Sequence, residues 1–300
     1  MSDDGRLVPI DDTALWIVER RPDDGVPLLV LHGGPGLDHL EFADYLDPLA
    51  DRGIRLILVD QRACGRSERP PSSSWTLERY AQDVIMLARA MRLDRYAVLG
   101  HSFGAFVALQ HAVDYPGAAA ATVISGGLPS ERFLERIDEA LRAFEPIELR
   151  DQVAASWARE PHVSTAEEFA QLMRDQYPFH FADPLDPRIE DYLERTADAV
   201  YAPEVLRHFA TAGYGAIEVE DRLATVSSPV LVLAGRHDRT CVVEGAEAIA
   251  AGVDDAQLLV FEASGHMTFV EEPEAFIEAV SRFLGWSGPG ASSGSTRTSD

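Results

Sequence analysis

The clearest chemical motif in the sequence is a serine between two glycines, Gly100-His101-Ser102-Phe103-Gly104. It follows an apolar, strand-like run (YAVLG) and opens an apolar, helix-like run (FGAFVALQHAV). In such a strand–turn–helix setting, the pattern G-x-S-x-G holds a serine on a tight turn with its hydroxyl exposed, because only small flanking residues fit there. The N-terminus of the following helix also favours developing negative charge. The sequence therefore predicts Ser102 as a nucleophile.

A serine needs a base to become nucleophilic, and that base is typically a histidine oriented by a carboxylate. Asp238 follows the apolar run VLVLAG, and His266 follows the run QLLVF after a short turn. All three residues come just past the end of a predicted strand, and the carboxyl ends of parallel strands meet at the same side of a sheet. We therefore predict Asp238 as the orienting acid and His266 as the general base. The competing acids, Asp221, Asp254 and Asp255, precede a strand instead.

A glycine-rich segment, His32–Gly36 (HGGPG), follows the apolar run VPLLVL. Acyl transfer requires backbone N–H groups directed at the developing oxyanion, and glycine lets the backbone approach a substrate closely. We expect the N–H groups of Gly34 and Phe103 to be these donors. The segment lacks G-x-G-x-x-G spacing and no helix clearly begins on it, so a phosphate-binding loop is disfavoured.

Six short apolar runs bounded by glycine or proline predict strands that are buried on both faces, as in a parallel sheet. Helical spacing of apolar residues separates several of them. The alternation predicts an α/β fold with a mostly parallel, doubly wound sheet. The predicted strands are Val26–His32, Arg55–Asp60, Tyr96–Gly100, Ala121–Ser125, Val230–Gly235 and Gln257–Phe261, and the clearest helices are Leu77–Met91, Phe103–Tyr115 and Ala275–Leu284.

The alternation is interrupted after Gly127, where the sequence becomes helical and polar until about Glu220. This pattern predicts a helical cap of residues 128–220, inserted into a core made of residues 1–127 and 221–286. Residues 287–300 are rich in glycine and serine and poor in apolar residues, which predicts a disordered tail.

Composition excludes several kinds of chemistry. The chain has 300 residues, 50 acidic and 26 basic, for a formal net charge of −24. All the basic residues are arginine, which removes Schiff-base and P-loop lysine chemistry. The negative charge argues against nucleic acid and anionic membranes as partners. Two cysteines, Cys64 and Cys241, make neither a disulfide framework nor a metal site, so we expect no metal and no cofactor.

The chain has no apolar run long enough for a membrane span, and its acidic N-terminus lacks the features of a signal peptide. Two cysteines are also compatible with a reducing compartment. We therefore expect a soluble cytoplasmic protein whose partner is a small-molecule or short-peptide substrate, without a membrane partner.

These segments together resemble the α/β-hydrolase fold and, more narrowly, its proline iminopeptidase-like branch, over about residues 7–127 and 221–285. The resemblance implies a cofactor-independent serine hydrolase in which Ser102, Asp238 and His266 form the triad. It also implies an oxyanion hole of Gly34 and Phe103, and a helical cap that covers the site and selects the substrate. The matching motifs are His32–Gly36 (HGGPG), Asp60–Ser67 (DQRACGRS), Gly100–Gly104 (GHSFG), Gly235–Asp238 (GRHD) and Gly265-His266.

The resemblance leaves the substrate open. Proline iminopeptidases bind the amino terminus of the substrate through carboxylates in the cap or beside the catalytic acid, whereas here Arg239 follows Asp238. An esterase, lactonase or amidase for small molecules is therefore an equal alternative. An epoxide hydrolase or dehalogenase is disfavoured, because those enzymes have aspartate where Ser102 stands. The candidate substrate-binding residues of the cap are Trp157, Tyr177, Tyr214 and Glu204.

Two hypotheses of other classes also remain at this stage. The fold supports receptor-like and lyase-like proteins as well as hydrolases, so a non-hydrolytic member of the fold is one alternative. A structural or interaction module carried by the acidic cap is the other.

Overall fold

The structure, a computed structural model, describes residues 5–20 and 25–285 of the chain. Eight of its strands form one sheet: β1 (Arg6–Pro9), β2 (Ala14–Arg20), β3 (Val26–Leu31), β4 (Ile54–Val59), β5 (Ala97–His101), β6 (Ala121–Ser125), β7 (Val230–Gly235) and β8 (Ala256–Phe261). Their spatial order is β1-β2-β4-β3-β5-β6-β7-β8. β2 pairs antiparallel with both β1 and β4, and all the other neighbours are parallel. The predicted α/β class with a mostly parallel sheet is confirmed.

Helices occupy most of the connections between the strands. They are α1 (Asp47–Asp51), α2 (Leu77–Ala90), α3 (Phe103–Asp114), α4 (Glu135–Arg142), α5 (Ile147–Arg159), α6 (Ala166–His180), α7 (Arg188–Arg195), α8 (Pro203–Ala210), the short kinked α9 (Gly213–Ala216), α10 (Val243–Gly252), α11 (Thr268–Glu271) and α12 (Pro273–Leu284). Within the two described ranges, no helix combines the length and the apolarity needed to cross a bilayer.

The central strands are buried because helices cover both faces of the sheet. Side chains alternate along a strand, so neighbouring residues of β3 enter different cores. Leu29 and Leu31 pack with residues of α2, α3 and α10 on one face, while Leu28 and Val30 pack with residues of α1 and α12 on the other. The continuous apolar run of β3 therefore contributes to two hydrophobic cores at once.

Both edges of the sheet differ from the prediction. The expectation that Gln257–Phe261 is buried on both faces is wrong, since Leu258 and Leu259 are 37% and 39% exposed. The reason is topological, because β8 is an edge strand with a single neighbour. The hairpin of β1 and β2 at the other edge was not predicted. Its short first strand is mostly exposed and its second ends in charged residues, so neither has an uninterrupted apolar run.

The segment between β6 and β7 contains α4 to α9 and no strand that joins the sheet. Its two ends meet in an antiparallel bridge between Ser130 and Glu218. Backbone hydrogen bonds from Glu131 N to Ile217 O (2.9 Å) and from Val219 N to Pro129 O (2.9 Å) flank this bridge. The predicted cap limits, 128 and 220, lie beside it, and the assignment of a separate domain stays a prediction. The predicted tail, 287–300, lies outside the described residues.

Candidate active site

Ser102 lies in the turn between β5 and α3 with φ 54° and ψ −120°, a conformation that residues with a side chain rarely adopt. Two glycines permit this turn. A Cβ on Gly100 would lie 2.0 Å from the carbonyl oxygen of Gly104, and a Cβ on Gly104 would lie 2.2 Å from that of Leu31. The serine is thus held at the N-terminus of α3 by a turn that leaves no room for larger neighbours.

Asp238 and His266 meet just beyond the C-terminal ends of β7 and β8. His266 Nδ1 lies 2.7 Å from Asp238 Oδ2. The other carboxylate oxygen, Oδ1, accepts hydrogen bonds of 2.8 Å from Thr240 N, Thr240 Oγ1 and Cys241 N. Gly126 makes space for the ring, because a Cβ there would lie 2.9 Å from His266 Cε1. With Nδ1 donating to the carboxylate, Nε2 of a neutral His266 is the nitrogen that can accept a proton.

The electrostatics of this pair favour a charged carboxylate and a basic imidazole. Burial opposes both charges, but the attraction and the hydrogen bond between Asp238 and His266 favour them. As a result, the pKa of Asp238 is lowered and that of His266 is raised. The His266 ring stands between those of His101 and His180, with centroid distances of 4.7 and 5.4 Å. Burial lowers the pKa of His180 to about 3 and that of His101 well below its usual range. Within this group of three rings, His266 is the one whose pKa is raised and not lowered.

The loop after β3 presents its backbone next to Ser102. The N–H of Gly33 donates to Glu41 Oε2 at 2.5 Å, and Pro35 has no N–H. Of the two glycines before Pro35, Gly34 is therefore the one whose N–H is compatible with the predicted donor role. Phe103 begins α3, and the first N–H groups of a helix have no acceptor within it. The assignment of Gly34 and Phe103 to an oxyanion hole stays a prediction.

A cavity lies between the C-terminal ends of the strands and the inserted helices, and its empty volume, including space open to solvent, is about 730 Å³. Ser102 and His266 line it together with the predicted substrate-binding residues Trp157, Tyr177 and Tyr214. Most of the remaining wall is apolar, from Leu37, Phe106, Leu134, Ile137, Phe169, Leu172, Met173, Leu206 and Met267. Such a site suits a small substrate with a substantial apolar part.

The structure does not bring Glu204 to this cavity. Glu204 lies in the first turn of α8, and its carboxylate binds Arg69 Nε at 3.2 Å on the surface, with both side chains 38% exposed. The expectation that it contacts the substrate is therefore corrected.

Two other acids, which sequence analysis did not single out, line the cavity instead. Glu41 is 6% exposed, and burial raises its pKa to about 8. Glu160 is 4% exposed, and burial raises its pKa to about 7, against the hydrogen bonds from Tyr214 Oη and Gln176 Nε2. Glu160 lies three residues after Trp157, which placed both on one helical face, so helical spacing could have indicated it. The sequence near Glu41 has no comparable signal.

Among residues 5–20 and 25–285, hydrogen bonding accounts for the two groups of side chains that could hold a metal ion. Asp238, Cys241 and His266 form one such group, and Asp38, His39 and Asp60 form the other. In the first, both carboxylate oxygens of Asp238 already accept hydrogen bonds, and burial raises the pKa of Cys241 well above its usual range, which disfavours a thiolate ligand.

In the second group, Asp60 Oδ1 accepts from His39 Nδ1 (2.6 Å) and His39 N (2.9 Å), and Asp60 Oδ2 accepts from Arg66 N (2.7 Å). These bonds connect the loop after β3 to the loop after β4, which gives the second group a structural role.

The fold and these features agree with comparisons to known proteins. Residues 26–273 match the model of the alpha/beta hydrolase fold, so the chain belongs to the α/β-hydrolase family. It is a hydrolase, and its similarity is to the proline iminopeptidase-like branch. The proline iminopeptidase of Heyndrickxia coagulans is 28% identical over 87% of this chain and 91% of its own length.

Solved structures give the same result. The proline iminopeptidase of Mycobacterium smegmatis superposes with a TM-score of 0.73 at 28% identity, covering 94% of this chain and 98% of that one. An esterase from Exiguobacterium antarcticum superposes with a TM-score of 0.70 at 20% identity, covering 94% and 99% of the two chains, which shows the shared fold alone.

Proposed function

We propose that the protein is a serine hydrolase in which Ser102, His266 and Asp238 form the catalytic triad. His266 Nε2 takes the proton of Ser102 as Oγ attacks the substrate carbonyl, and it then protonates the leaving group. Water enters, gives a proton to His266 and attacks the acyl-enzyme, and His266 then returns this proton to Ser102 Oγ as the acid is released. Asp238 keeps Nδ1 protonated and stabilises the imidazolium through the 2.7 Å contact.

The N–H groups of Gly34 and Phe103 stabilise the oxyanion in this mechanism. Both are backbone donors of rigid turns, and such donors contribute most when they are oriented before the reaction begins. The contact between Gly33 N and Glu41 Oε2 restrains the first of these turns.

We further propose that the substrate carries a protonated amine near the scissile carbonyl, as an aminoacyl or N-terminal prolyl compound does. The observation that carries this proposal is the pair of buried carboxylates, Glu41 and Glu160, in a cavity whose described lining contains no arginine. Buried carboxylates with raised pKa values gain stability from a bound cation, which favours their charged form. The name of the relatives, proline iminopeptidase, supports the same substrate class.

Of these two carboxylates, Glu41 lies beside the proposed nucleophile. The point where a Cβ of Gly33 would stand lies 2.7 Å from Glu41 Oε1 and 3.0 Å from Ser102 Cβ. An amine on the carbon next to the scissile carbonyl would lie at this depth of the cavity once Ser102 has attacked. Glu160, on the inserted helices, would hold a cationic group further along the substrate.

The test compares prolyl p-nitroanilide with N-acetylprolyl p-nitroanilide, in which an added acetyl group converts the charged amine into a neutral amide. We expect wild-type protein to cleave the first at least tenfold more efficiently, and Ser102→Ala to reduce that activity by about 10³-fold or more. Equal kcat/KM values for the two arylamides would contradict the amine proposal, and retained turnover in Ser102→Ala would contradict the triad.

An esterase or amidase for uncharged small molecules is the second candidate, favoured by the apolar majority of the cavity wall. A short-chain p-nitrophenyl ester tests it on the same two proteins. Ester turnover that depends on Ser102, without turnover of the prolyl arylamide, would select this candidate over the peptidase.

A further inference from the structure

The segment Phe179–Ala182, at the end of α6, is bound along its backbone by the loops that carry Asp238 and His266. His266 N donates to His180 O at 2.6 Å. The two chains are in close contact here, since a Cβ on Gly265 would lie 2.5 Å from the same oxygen and 2.7 Å from Ala182 N. The loop of the proposed base therefore packs directly on the inserted helices.

Arg239, the residue after the proposed acid, forms the second connection. Its Nη1 donates to Phe179 O (3.1 Å) and Phe181 O (2.6 Å), and its Nη2 donates to Ala182 O (3.1 Å). The guanidinium also lies 5.3 Å from the ring centroid of Phe144, an aromatic residue of the inserted segment. The contacts of the Arg239 side chain are thus with the inserted segment, and they argue against a substrate-binding role.

Glu271, at the end of α11, forms the third connection. Its Oε1 accepts from Ala182 N at 2.8 Å, and its Oε2 accepts from Gly265 N at 2.8 Å. One carboxylate therefore holds the segment and the residue before His266 at a fixed separation. Glu271 is buried, so these bonds are shielded from water.

We propose that Arg239 and Glu271 are positioning residues that use the segment Phe179–Ala182 to hold His266 in its catalytic orientation. The proposal rests on the triad of the proposed function. It explains why an arginine follows the acid: the side chain binds three carbonyl oxygens, a task that a carboxylate cannot perform. It also places His180, whose ring faces that of His266, in a fixed position on the cavity wall.

The inference predicts that loosening the segment affects the chemical step. A displacement of about 1 Å in a catalytic group can cost about 100-fold in rate. Removing three hydrogen bonds with Arg239→Ala frees the segment on one side, whereas Glu271→Gln leaves an acceptor for only one of the two N–H groups. Arg239→Lys keeps the charge with fewer donors, so its effect should lie between those of wild type and Arg239→Ala.

The experiment measures the rate constant for modification of Ser102 by an alkyl fluorophosphonate, in the full chain, between pH 5.5 and 9. We expect Arg239→Ala to react about 10- to 100-fold more slowly than wild type, and the pH at which His266 loses its proton to change. The matched control is Arg236→Ala, three residues earlier in the same loop. The Arg236 side chain is bound to the exposed Glu262, and we expect its removal to leave the rate unchanged.

If Arg239 has a purely structural role, Arg239→Ala will have a lower thermal stability, but the folded variant will react at the rate and with the pH profile of Arg236→Ala. This result would overturn the inference. If Arg239→Ala does not fold, Arg239→Lys and Glu271→Gln carry the test by the same criterion. Failure of wild-type protein to react would contradict the triad itself, which separates that failure from a failure of the positioning role.

Discussion

At the scale of single residues, the site contains charged groups whose burial costs free energy, together with hydrogen-bond partners that offset this cost. The Asp238 carboxylate accepts four hydrogen bonds, which offset its burial. Glu41 differs, since the hydrogen bond from Gly33 N does not outweigh its desolvation and its pKa is about 8. The folded protein therefore keeps Glu41 protonated over a pH range in which the unfolded chain does not.

This difference makes a prediction for stability against pH. The pKa of Glu41 is raised from 4.5 to about 8 on folding, so the folded state binds more protons between these values and its stability falls as pH rises through them. The slope attributable to this group is at most about 1.4 kcal/mol per pH unit. Glu41→Gln keeps an acceptor for Gly33 N and cannot ionise, so it should remove this slope.

Urea unfolding at pH 5.5, 7 and 8.5 measures the effect. We expect the free energy of unfolding of Glu41→Gln to exceed that of wild type increasingly towards pH 8.5. Glu204→Gln, at the exposed acid bound to Arg69, is the control and should follow wild type. An identical pH dependence of the free energy of unfolding in wild type and Glu41→Gln would show that Glu41 does not cause the loss of stability at higher pH.

The sequence predicted the residues whose chemistry depends on local pattern. Ser102, Asp238 and His266 each follow a recognisable strand. Ser102 and His266 line one cavity, and Asp238 is bound to Nδ1 of His266. Glu41 could not be separated from the many other acids, because burial of a carboxylate depends on tertiary packing, and for Glu160 the available signal is its spacing of three residues from Trp157. Glu204 shows the converse, since its position on a helix gave no information about the direction of its side chain.

At the scale of elements, the position of Ser102 depends on the close approach of α3 to the ends of β3 and β5. Gly104 permits this approach, since a Cβ there would lie 2.2 Å from Leu31 O and 2.5 Å from His32 O. Both of these atoms belong to the backbone and cannot rotate away. The first turn of α3 must therefore move if Gly104 carries a side chain.

We expect Gly104→Ala to destabilise the protein by about 3 kcal/mol and to abolish reaction at Ser102, because overpacking against backbone forces the turn to shift. Thermal unfolding and fluorophosphonate reactivity measure the two effects. Gly245→Ala is the matched control in α10, where the new Cβ would meet chiefly Cδ2 of Leu128, at 2.4 Å, which is the movable end of a side chain. Full reactivity in Gly104→Ala would contradict this account of the turn.

Elements buried on both faces were the most predictable. β3 to β7 consist mainly of apolar residues, and their observed limits agree with the predicted limits to within one residue at each end. The edges of the sheet were less predictable. β1 and β8 have one neighbouring strand each, β2 mixes apolar and charged residues, and the pairing of such strands depends on the rest of the sheet. The individual helices between β6 and β7 likewise depend on contacts that the sequence pattern does not contain.

At the scale of the whole molecule, the cavity joins two parts of the chain that have different roles. The sheet provides the turns that hold Ser102, Asp238 and His266 at the C-terminal ends of its strands, where parallel α/β sheets commonly bind ligands. The inserted helices provide most of the apolar wall together with Glu160. This division explains why the hydrolase class could be predicted from the core motifs, whereas the cavity wall depends on a segment whose packing only the structure describes.

The central claim is that Ser102 is a nucleophile activated by His266 and Asp238. The most direct measurement is mass spectrometry of the full chain after treatment with a fluorophosphonate, followed by peptide mapping. The account predicts one modification, on Ser102, in wild-type protein, and none in Ser102→Ala or in unfolded protein, with strongly slowed modification in His266→Ala. Folded wild-type protein that stays unmodified, or is modified at another residue, would contradict it.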